Sequence, residues 1–199
     1  MSKRTSSINL SRMRKAFALK PISAGVAAVV LSGCGDRQEA FIYSSVDECV
    51  NDNPEYATQC QSAYQQALEE ARRTGPKYNS EYDCEYEFGA NQCRVQDVGG
   101  GSFWMPMMAG FMIGNLVSNR SYYYQPMYTS YSRYSPLRYR WMMADGRDYG
   151  DLRTRKVRVR EDAFKPKPAV NRTIKRGGFG SSVRAKSSWG SSRSSGWGG

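Results

Sequence analysis

The sequence feature that most restricts how this chain can fold is residues 31–34, which read Leu-Ser-Gly-Cys. Residues 1–20 carry six lysine and arginine residues and no acidic residue, and residues 21–31 are mostly apolar. A cationic start, a short apolar core and small residues before a cleavage site are the pattern of a secretory signal peptide. A cysteine at the new N-terminus is the lipid acceptor of bacterial lipoproteins. The sequence therefore predicts a lipoprotein signal peptide over residues 1–33 and lipidation of Cys34.

The predicted lipidation also predicts where the protein resides. Two acyl chains, palmitate among them, would hold the chain on a membrane, whereas residues 21–31 fall short of the roughly 20 apolar residues that a membrane-spanning helix needs. An uncleaved anchor with an incidental cysteine is the alternative. Aspartate directly after the lipidated cysteine retains lipoproteins in the inner membrane of Gram-negative bacteria, and that position holds Gly35. We therefore expect a lipid anchor on the periplasmic side of the cell envelope, at the outer rather than the inner membrane.

An exported chain is expected to oxidise its remaining cysteines, which are Cys49, Cys60, Cys84 and Cys93. An even number of cysteines in such a chain is most simply explained by two disulfides. Four cysteines allow three pairings, and the sequence does not choose among them, although Cys49–Cys60 with Cys84–Cys93 closes the shortest loops. A zinc site is the alternative, but the chain has no histidine and neither pair has zinc-knuckle spacing. We predict no metal ion and no cofactor.

Charge is distributed unevenly between the two halves of the predicted mature chain. Residues 34–97 carry 13 acidic and 5 basic residues, whereas residues 98–199 carry 5 acidic and 18 basic residues. Such asymmetry suggests either an arm that faces a polyanion or pairing between the two halves.

The acidic half contains the clearest helix signals. A tether over residues 34–44 is followed by a capping box, Ser45 with Glu48. A longer helix is expected to begin at Pro54 and to reach about residue 73, because apolar residues recur there at three- and four-residue steps. A second short helix is predicted over residues 81–88. These elements predict an acidic helical cysteine domain over residues 45–97.

Residues 98–120 contain a glycine linker and then the most apolar stretch of the predicted mature chain. Residues 103–117 would form a helix about 22 Å long, which is shorter than the bilayer core. Three interpretations remain: a helix packed on the cysteine domain, a self-association or partner face, and an interfacial membrane segment. The predicted partner or membrane contacts are Phe103, Trp104, Met105, Gly110, Phe111 and Gly114.

Residues 121–199 read as a flexible tail, rich first in Tyr and Arg and then in Ser and Gly. No helical or strand period persists in its first part, and its last part has too few apolar residues to bury a core. Asp145 and Gly146 form a hairpin turn signal. The predicted fold class is thus a small mainly-α, disulfide-stapled domain followed by a largely disordered, low-complexity basic C-terminal region, with room for a short β-hairpin.

Together these landmarks resemble the YgiB-type family of uncharacterised bacterial lipoproteins. The shared strings are distributed over nearly the whole chain; the most distinctive are Phe103-Trp104-Met105-Pro106 and Gly177-Gly178-Phe179-Gly180, and others are Asp47-Glu48-Cys49, Glu87-Phe88-Gly89, Gln92-Cys93 and Asp148-Tyr149-Gly150. The tyrosine-rich run replaces a region that is richer in Gln and Gly in that family. The resemblance implies the same lipoprotein architecture and brings no activity with it.

The sequence predicts a binding or structural protein and not an enzyme. Without histidine the commonest general base is missing, and no catalytic residue is predicted. The glycine-rich residues 177–180 follow no predicted strand and open no predicted helix, as a phosphate-binding loop would. We expect a membrane-anchored envelope lipoprotein with an envelope protein partner or anionic lipid, or with a second copy of itself. The alternative is a polyanion-binding protein whose basic tail takes lipopolysaccharide or acidic lipid; nucleic acid is disfavoured by export.

Overall fold

Helices and strands alternate along the whole described chain instead of being confined to its first half. The structure is a computed structural model that describes residues 37–98, 100–114 and 124–191. The predicted signal peptide, Cys34 and the end of the predicted tail lie outside the described residues. In chain order the elements are β1 (Arg37–Tyr43), α1 (Val46–Asp52), α2 (Ala57–Thr74), α3 (Glu81–Phe88), β2 (Cys93–Val98), β3 (Gly101–Pro106), β4 (Gly110–Ile113), β5 (Tyr124–Met127), β6 (Arg140–Met142), β7 (Asp148–Asp151), β8 (Lys156–Arg160) and α4 (Gly178–Ser191), with short 3-10 helices at Pro54–Tyr56 and Glu161–Ala163.

The largest sheet is antiparallel and has the strand order β5-β4-β1-β8. Successive side chains of a strand point to opposite faces, and β1 and β4 use both faces of this sheet. Ala40, Ile42 and Met112 pack in one buried cluster with residues of β5, β6 and β8. Tyr43 and Phe111 pack in another cluster with the helices α1 and α2. The sheet therefore separates two cores, and strands from both halves of the chain build it.

The apolar stretch over residues 103–117, which we considered as a helix, forms strands instead, as far as the structure describes it. β3 pairs with β2 in a hairpin, and β4 lies between β1 and β5. All four residues of β4 are buried, so the run lacks the polar alternation of a strand and its periodicity does not separate strand from helix. A Cβ on Gly110 would lie 2.5 Å from the Tyr43 carbonyl oxygen, which explains a glycine there without any helix–helix contact.

The predicted fold class is wrong, because the described chain is an α+β structure and its basic part is ordered. β5 to β8 and α4 all come from the segment that we expected to be disordered. Met127, Trp141 and Val159 from that segment are buried against β1. The acidic segment therefore does not close a core by itself, and the low aliphatic content of each half reflects a core that both halves share.

The three helices predicted in the cysteine domain, the Ser45 and Ser80 caps and the hairpin are confirmed, although the longer helix begins at Ala57, after the 3-10 helix at Pro54–Tyr56, and not at Pro54. The Ser45 and Ser80 side chains accept hydrogen bonds from the backbone N–H groups of Glu48 and Asp83, at 3.1 Å and 3.2 Å. β6 and β7 form the predicted hairpin, whose turn contains Gly146 with a φ of 80°. The elements that the sequence predicted correctly are therefore those whose ends are determined by residues close to them in the sequence.

Two disulfides are present, and they have the pairing that the short loops favoured. Cys49 is bonded to Cys60 and Cys84 to Cys93, with Cα–Cα distances of 5.9 Å and 6.2 Å. All four cysteines are fully buried. The first bridge joins α1 to α2, and the second joins α3 to the start of β2, so each bridge ties a helix to its sequence neighbour.

The two oppositely charged halves pair with each other at several places. Lys156 on β8 lies 2.9 Å from the Glu39 carboxylate on β1, and Arg155 contacts Glu48 at the start of α1. The Lys77 ammonium donates to the carbonyl of Val170 at 2.6 Å. Part of the charge asymmetry is therefore neutralised within the fold.

Candidate functional site

The glycine-rich stretch at residues 177–180 opens the helix α4, although the sequence indicated no helix there. The Gly180 amide donates a hydrogen bond of 2.7 Å to Oε1 of Glu87, which lies on α3 and is only 2% exposed. Burial raises the pKa of this carboxyl, while backbone hydrogen bonds from Gly180 and Gly177 act against the rise. Glu87 therefore accepts from the N-terminal amides of α4 and holds α3 and α4 together.

The turn that follows α3 is held by serines of the tyrosine-rich run. Ser130 Oγ donates to the carbonyl of Glu87 and Ser132 Oγ donates to that of Tyr86, both at 2.6 Å. The Tyr131 amide donates to the Phe88 carbonyl at 2.8 Å. The last carbonyls of a helix have no partner within it, so residues 130–132 supply donors to the end of α3. This explains why a run without secondary-structure period is ordered.

The same contacts bring tyrosines and arginines from distant parts of the chain onto one surface, which we call the Tyr–Arg patch. It consists of Tyr82, Tyr86, Tyr131, Arg133, Tyr134, Arg138, Tyr139 and Arg176. A cavity of about 500 Å³ lies among most of these residues.

One half of the Tyr–Arg patch is a stack of rings under a guanidinium group. Tyr86 and Tyr134 stack with their centroids 4.8 Å apart and their planes at 4°. The guanidinium carbon of Arg176 lies 5.1 Å from the Tyr86 centroid and 5.4 Å from that of Tyr82. These separations are within the range of cation–π attraction. Arg176 also donates to the Tyr82 hydroxyl at 3.2 Å, so α3 orients this cation.

In the other half of the patch, each arginine lies over the ring of the tyrosine that follows it in the sequence. Arg133 lies 4.9 Å from the centroid of Tyr134 and Arg138 lies 4.5 Å from that of Tyr139. Each guanidinium also donates to the hydroxyl of the same tyrosine at 2.8 Å. A guanidinium has five N–H donors, so most donors of both arginines are available to a ligand.

The Tyr–Arg patch is exposed, and the carboxylate that lines its cavity, Glu85, accepts a hydrogen bond from the Asn91 amide. Tyr82 is 64% exposed and Tyr134 is 55% exposed. Within residues 37–98, 100–114 and 124–191, no carboxylate forms an ion pair with any of the three patch arginines. The arrangement can therefore bind an anionic group between guanidinium donors and offer ring faces to the atoms around it.

The structure places most of the predicted contact residues of the apolar stretch in the interior. Met105, Gly110, Phe111 and Gly114 are buried, whereas Phe103 and Trp104 are half-buried. Phe111 packs edge-on against Tyr64 of α2 with a centroid distance of 5.7 Å. The partner or membrane contact stays a prediction, and Phe103 and Trp104 are the residues with surface left for it.

Sequence reasoning missed the Tyr–Arg patch because its members are far apart in the chain. We predicted that the tyrosines after residue 121 belong to a flexible tail. Two signals were available: Tyr82 and Tyr86 are one helical turn apart, and serines alternate with Tyr131. Neither signal shows that the two sets meet.

Among the described residues, no group of three or more Cys, Asp or Glu residues is arranged to hold a metal ion. No helix within the described ranges combines the length and the apolar character needed to cross a bilayer.

The fold and its surface define a class: an α+β domain closed by two disulfides, with an exposed cluster of tyrosines and arginines. The chain belongs to the DUF1190 family, which is described as a protein of unknown function and whose model matches residues 37–190. This confirms the resemblance to the YgiB-type family.

Similar proteins occur in several enterobacteria. A UPF0441 protein of Serratia proteamaculans is 37% identical over 204 residues, covering 94% of this chain and 93% of its own. UPF0441 proteins of Klebsiella pneumoniae and Photorhabdus laumondii are each 39% identical; they cover 93% and 98% of this chain, and 92% and 95% of their own lengths. No solved structure matches the chain.

Proposed function

We propose that the protein is a lipid-anchored envelope protein that works by binding, and that the Tyr–Arg patch binds an acidic component of the envelope. The observation that carries this proposal is the set of three exposed arginines that lie over tyrosine rings and pair with no carboxylate of the described chain. Aromatic residues and arginine are enriched at protein interfaces and among their energetically dominant residues.

Preorganisation supports a binding role for these arginines. A long side chain loses rotamer freedom when it binds, which costs roughly 0.5–1.5 kcal/mol for each immobilised residue. Arg133, Arg138 and Arg176 are already positioned by a ring and a hydroxyl. Part of that cost is therefore met in the unbound protein, which favours affinity for an acidic ligand.

The anchor is proposed from the sequence, at residues 31–34, and the disulfides support the same compartment. Disulfides persist in oxidising compartments such as the bacterial periplasm and are rare in the cytosol. Lipidation at Cys34 would place the domain at a membrane surface, where acidic headgroups are concentrated. Gly35 in place of aspartate favours the outer membrane.

Two acidic partners fit this chemistry: lipopolysaccharide, with its phosphates, and acidic phospholipid. Positions 98–199 hold more basic than acidic residues, which favours a surface of lipopolysaccharide or acidic phospholipid over a neutral partner. Both are tested by sedimenting the full chain with vesicles of phosphatidylcholine alone, with added phosphatidylglycerol, or with added lipopolysaccharide.

The informative variant replaces Arg133, Arg138 and Arg176 with Gln. Each basic residue near an anionic membrane contributes about 1 kcal/mol, so losing three should weaken binding to acidic vesicles about a hundredfold. The matched control replaces Arg153, Arg158 and Arg172, which are exposed and lie outside the patch. This control removes the same charge and should keep most of the affinity. Equal losses in the two variants, or equal binding to neutral vesicles, would contradict the proposal.

A further inference from the structure

A second cavity, separate from the Tyr–Arg patch, lies between the helix α2 and the hairpin of β2 and β3. Its volume is about 330 Å³, within the range of roughly 300–1,000 Å³ that small-molecule sites occupy in proteins. Its principal lining residues are Tyr64, Leu68, Arg72, Arg94, Met107 and Met108. We call this cavity the α2–β3 groove.

One wall of the α2–β3 groove is apolar and adaptable. Tyr64, Leu68 and Ala71 follow one another at helical steps of four and three residues and so share a face of α2. The neighbouring stripe of α2, which contains Cys60, Ala63 and Ala67, is fully buried in the core. Across the groove Met107 is 40% exposed, and methionine adapts its shape to what it contacts. The groove therefore offers aliphatic and aromatic surface that the fold does not cover.

The groove also carries two cations. Arg72, near the end of α2, and Arg94, on β2, both line it and are both exposed. Within the part of the chain that the structure describes, neither guanidinium forms an ion pair. The adjacent Glu70 is already engaged in a bidentate contact with Arg73, at 2.7 Å and 3.0 Å. The groove is thus apolar along its wall and positively charged at two of its lining residues.

We propose that the α2–β3 groove binds a single-chain anionic amphiphile, with the aliphatic chain along Leu68 and Met107 and the anionic head at Arg72 and Arg94. The guanidinium groups of Arg72 and Arg94 favour an anionic head group, and the apolar wall favours a flexible aliphatic chain. A carboxylate from a free fatty acid and a phosphate from a lysophospholipid share this chemistry. The proposal concerns a different site from the Tyr–Arg patch and does not depend on it.

The test uses the full chain with Cys34→Ser, so that attached acyl chains do not compete for the groove. A fluorescent long-chain fatty acid is titrated into it, alongside the methyl ester of the same acid and a lysophosphatidic acid as competitor. We expect saturable binding of the acid, and binding of the neutral ester that is weaker by about tenfold or more, because a charge-assisted hydrogen bond contributes about 1.5–3 kcal/mol. Whichever of lysophosphatidic acid and unlabelled fatty acid displaces the probe at the lower concentration identifies the preferred head group.

Two groove variants make the test specific. Replacing Arg72 and Arg94 with Gln should weaken the acid about tenfold and remove the preference over the ester. Met107→Glu should weaken both ligands, because it places a carboxylate against the chain. Arg153→Gln removes an exposed arginine that lies outside both the groove and the Tyr–Arg patch; it is the control and should bind like the parent. Near-ultraviolet circular dichroism verifies that each variant is folded.

Three results would overturn the proposal. The first is the absence of saturable binding by the folded parent chain, and the second is equal affinity for acid and ester. The third is capture of a second copy of this chain by a photo-crosslinker placed at Met107, since the groove would then be an interface between copies.

Discussion

Glu87 on α3 and Gly180 in the first turn of α4 are joined by a 2.7 Å hydrogen bond, although 93 residues separate them in the sequence. The contact is close: a Cβ on Gly180 would overlap the Glu87 carboxylate oxygen. Phe179 beside it packs on Phe88 with a centroid distance of 5.5 Å. This pair therefore attaches the end of the described chain to the helix that carries Tyr82 and Tyr86 of the Tyr–Arg patch.

The closeness of this contact predicts that Gly180→Ala destabilises the fold. The added methyl group displaces a buried carboxylate, and overpacking of this kind costs about 1–3 kcal/mol. The better helix propensity of alanine offsets about 1 kcal/mol of that loss. We expect a net decrease of up to about 2 kcal/mol in the free energy of unfolding, measured by urea denaturation. Ser182→Ala, at an exposed position of the same helix, is the control; a loss of equal size there would show that the effect does not arise at Glu87.

The raised pKa of Glu87 predicts a pH dependence with a definite sign. Burial makes the folded chain hold this proton more tightly than the unfolded chain does. Its contribution to stability is therefore complete below the ordinary carboxyl pKa of 4.5 and is lost as pH rises through the folded pKa. Glu87→Gln does not titrate, so the unfolding free energy of the wild type minus that of the variant should fall as pH rises from acidic to neutral. A difference that stays constant or grows over this interval would refute the assignment.

The two disulfides predict different functional consequences. Replacing either pair with serine should lower the free energy of unfolding by about 2–4 kcal/mol, because each bridge closes a short loop in the unfolded chain. Cys84 lies on α3 between Tyr82 and Tyr86, whereas Cys49 and Cys60 belong to the cluster around Phe111. We therefore expect the Cys84/Cys93 variant to lose binding to acidic vesicles and the folded Cys49/Cys60 variant to keep it. Retention of binding by both folded variants would argue that the second bridge does not orient the patch.

The serines at the end of α3 predict a way to loosen the patch without unfolding the domain. Replacing Ser130 and Ser132 with Ala removes two hydrogen bonds to helix carbonyls, each contributing about 1 kcal/mol to stability. Because these bonds hold the run that carries Arg133 and Tyr134, binding to acidic vesicles should weaken while the disulfides and far-ultraviolet circular dichroism stay unchanged. Ser182→Ala again serves as the control, and unchanged binding in the double variant would contradict a positioning role.

The elements that the sequence predicted correctly are those whose determinants are local. Ser45 and Ser80 cap helices that begin at the next residue, and Gly146 lies in the turn of a hairpin closed by its own neighbours. The strands of the main sheet were missed because their pairing is long-range: Ala40 on β1 faces Val157 on β8. β4 was not recognised as a strand because all of its residues are buried, so no alternation of polar and apolar residues marks it.

The Tyr–Arg patch was beyond sequence reasoning for the same physical reason. Tyr86 and Tyr134 each look like ordinary surface residues in their own segments, and they become a stack only when α3 and residues 130–134 are brought together. Arg176 arrives from a third segment through the contact of α4 with Glu87. The composition showed that tyrosine and arginine are abundant, and only the fold shows which of them meet.

Acylation at Cys34 is the central prediction, because the compartment, the oxidised cysteines and the acidic target are all expected from it. The most direct measurement is metabolic labelling of cells with a radiolabelled fatty acid, followed by isolation of the protein. The wild type and Ser32→Ala, which keeps a small residue before the cleavage site, should incorporate label, and Cys34→Ser should incorporate none. Equal labelling of Cys34→Ser, or recovery of the wild type unlabelled and with reduced cysteines from the cytosol, would contradict the account.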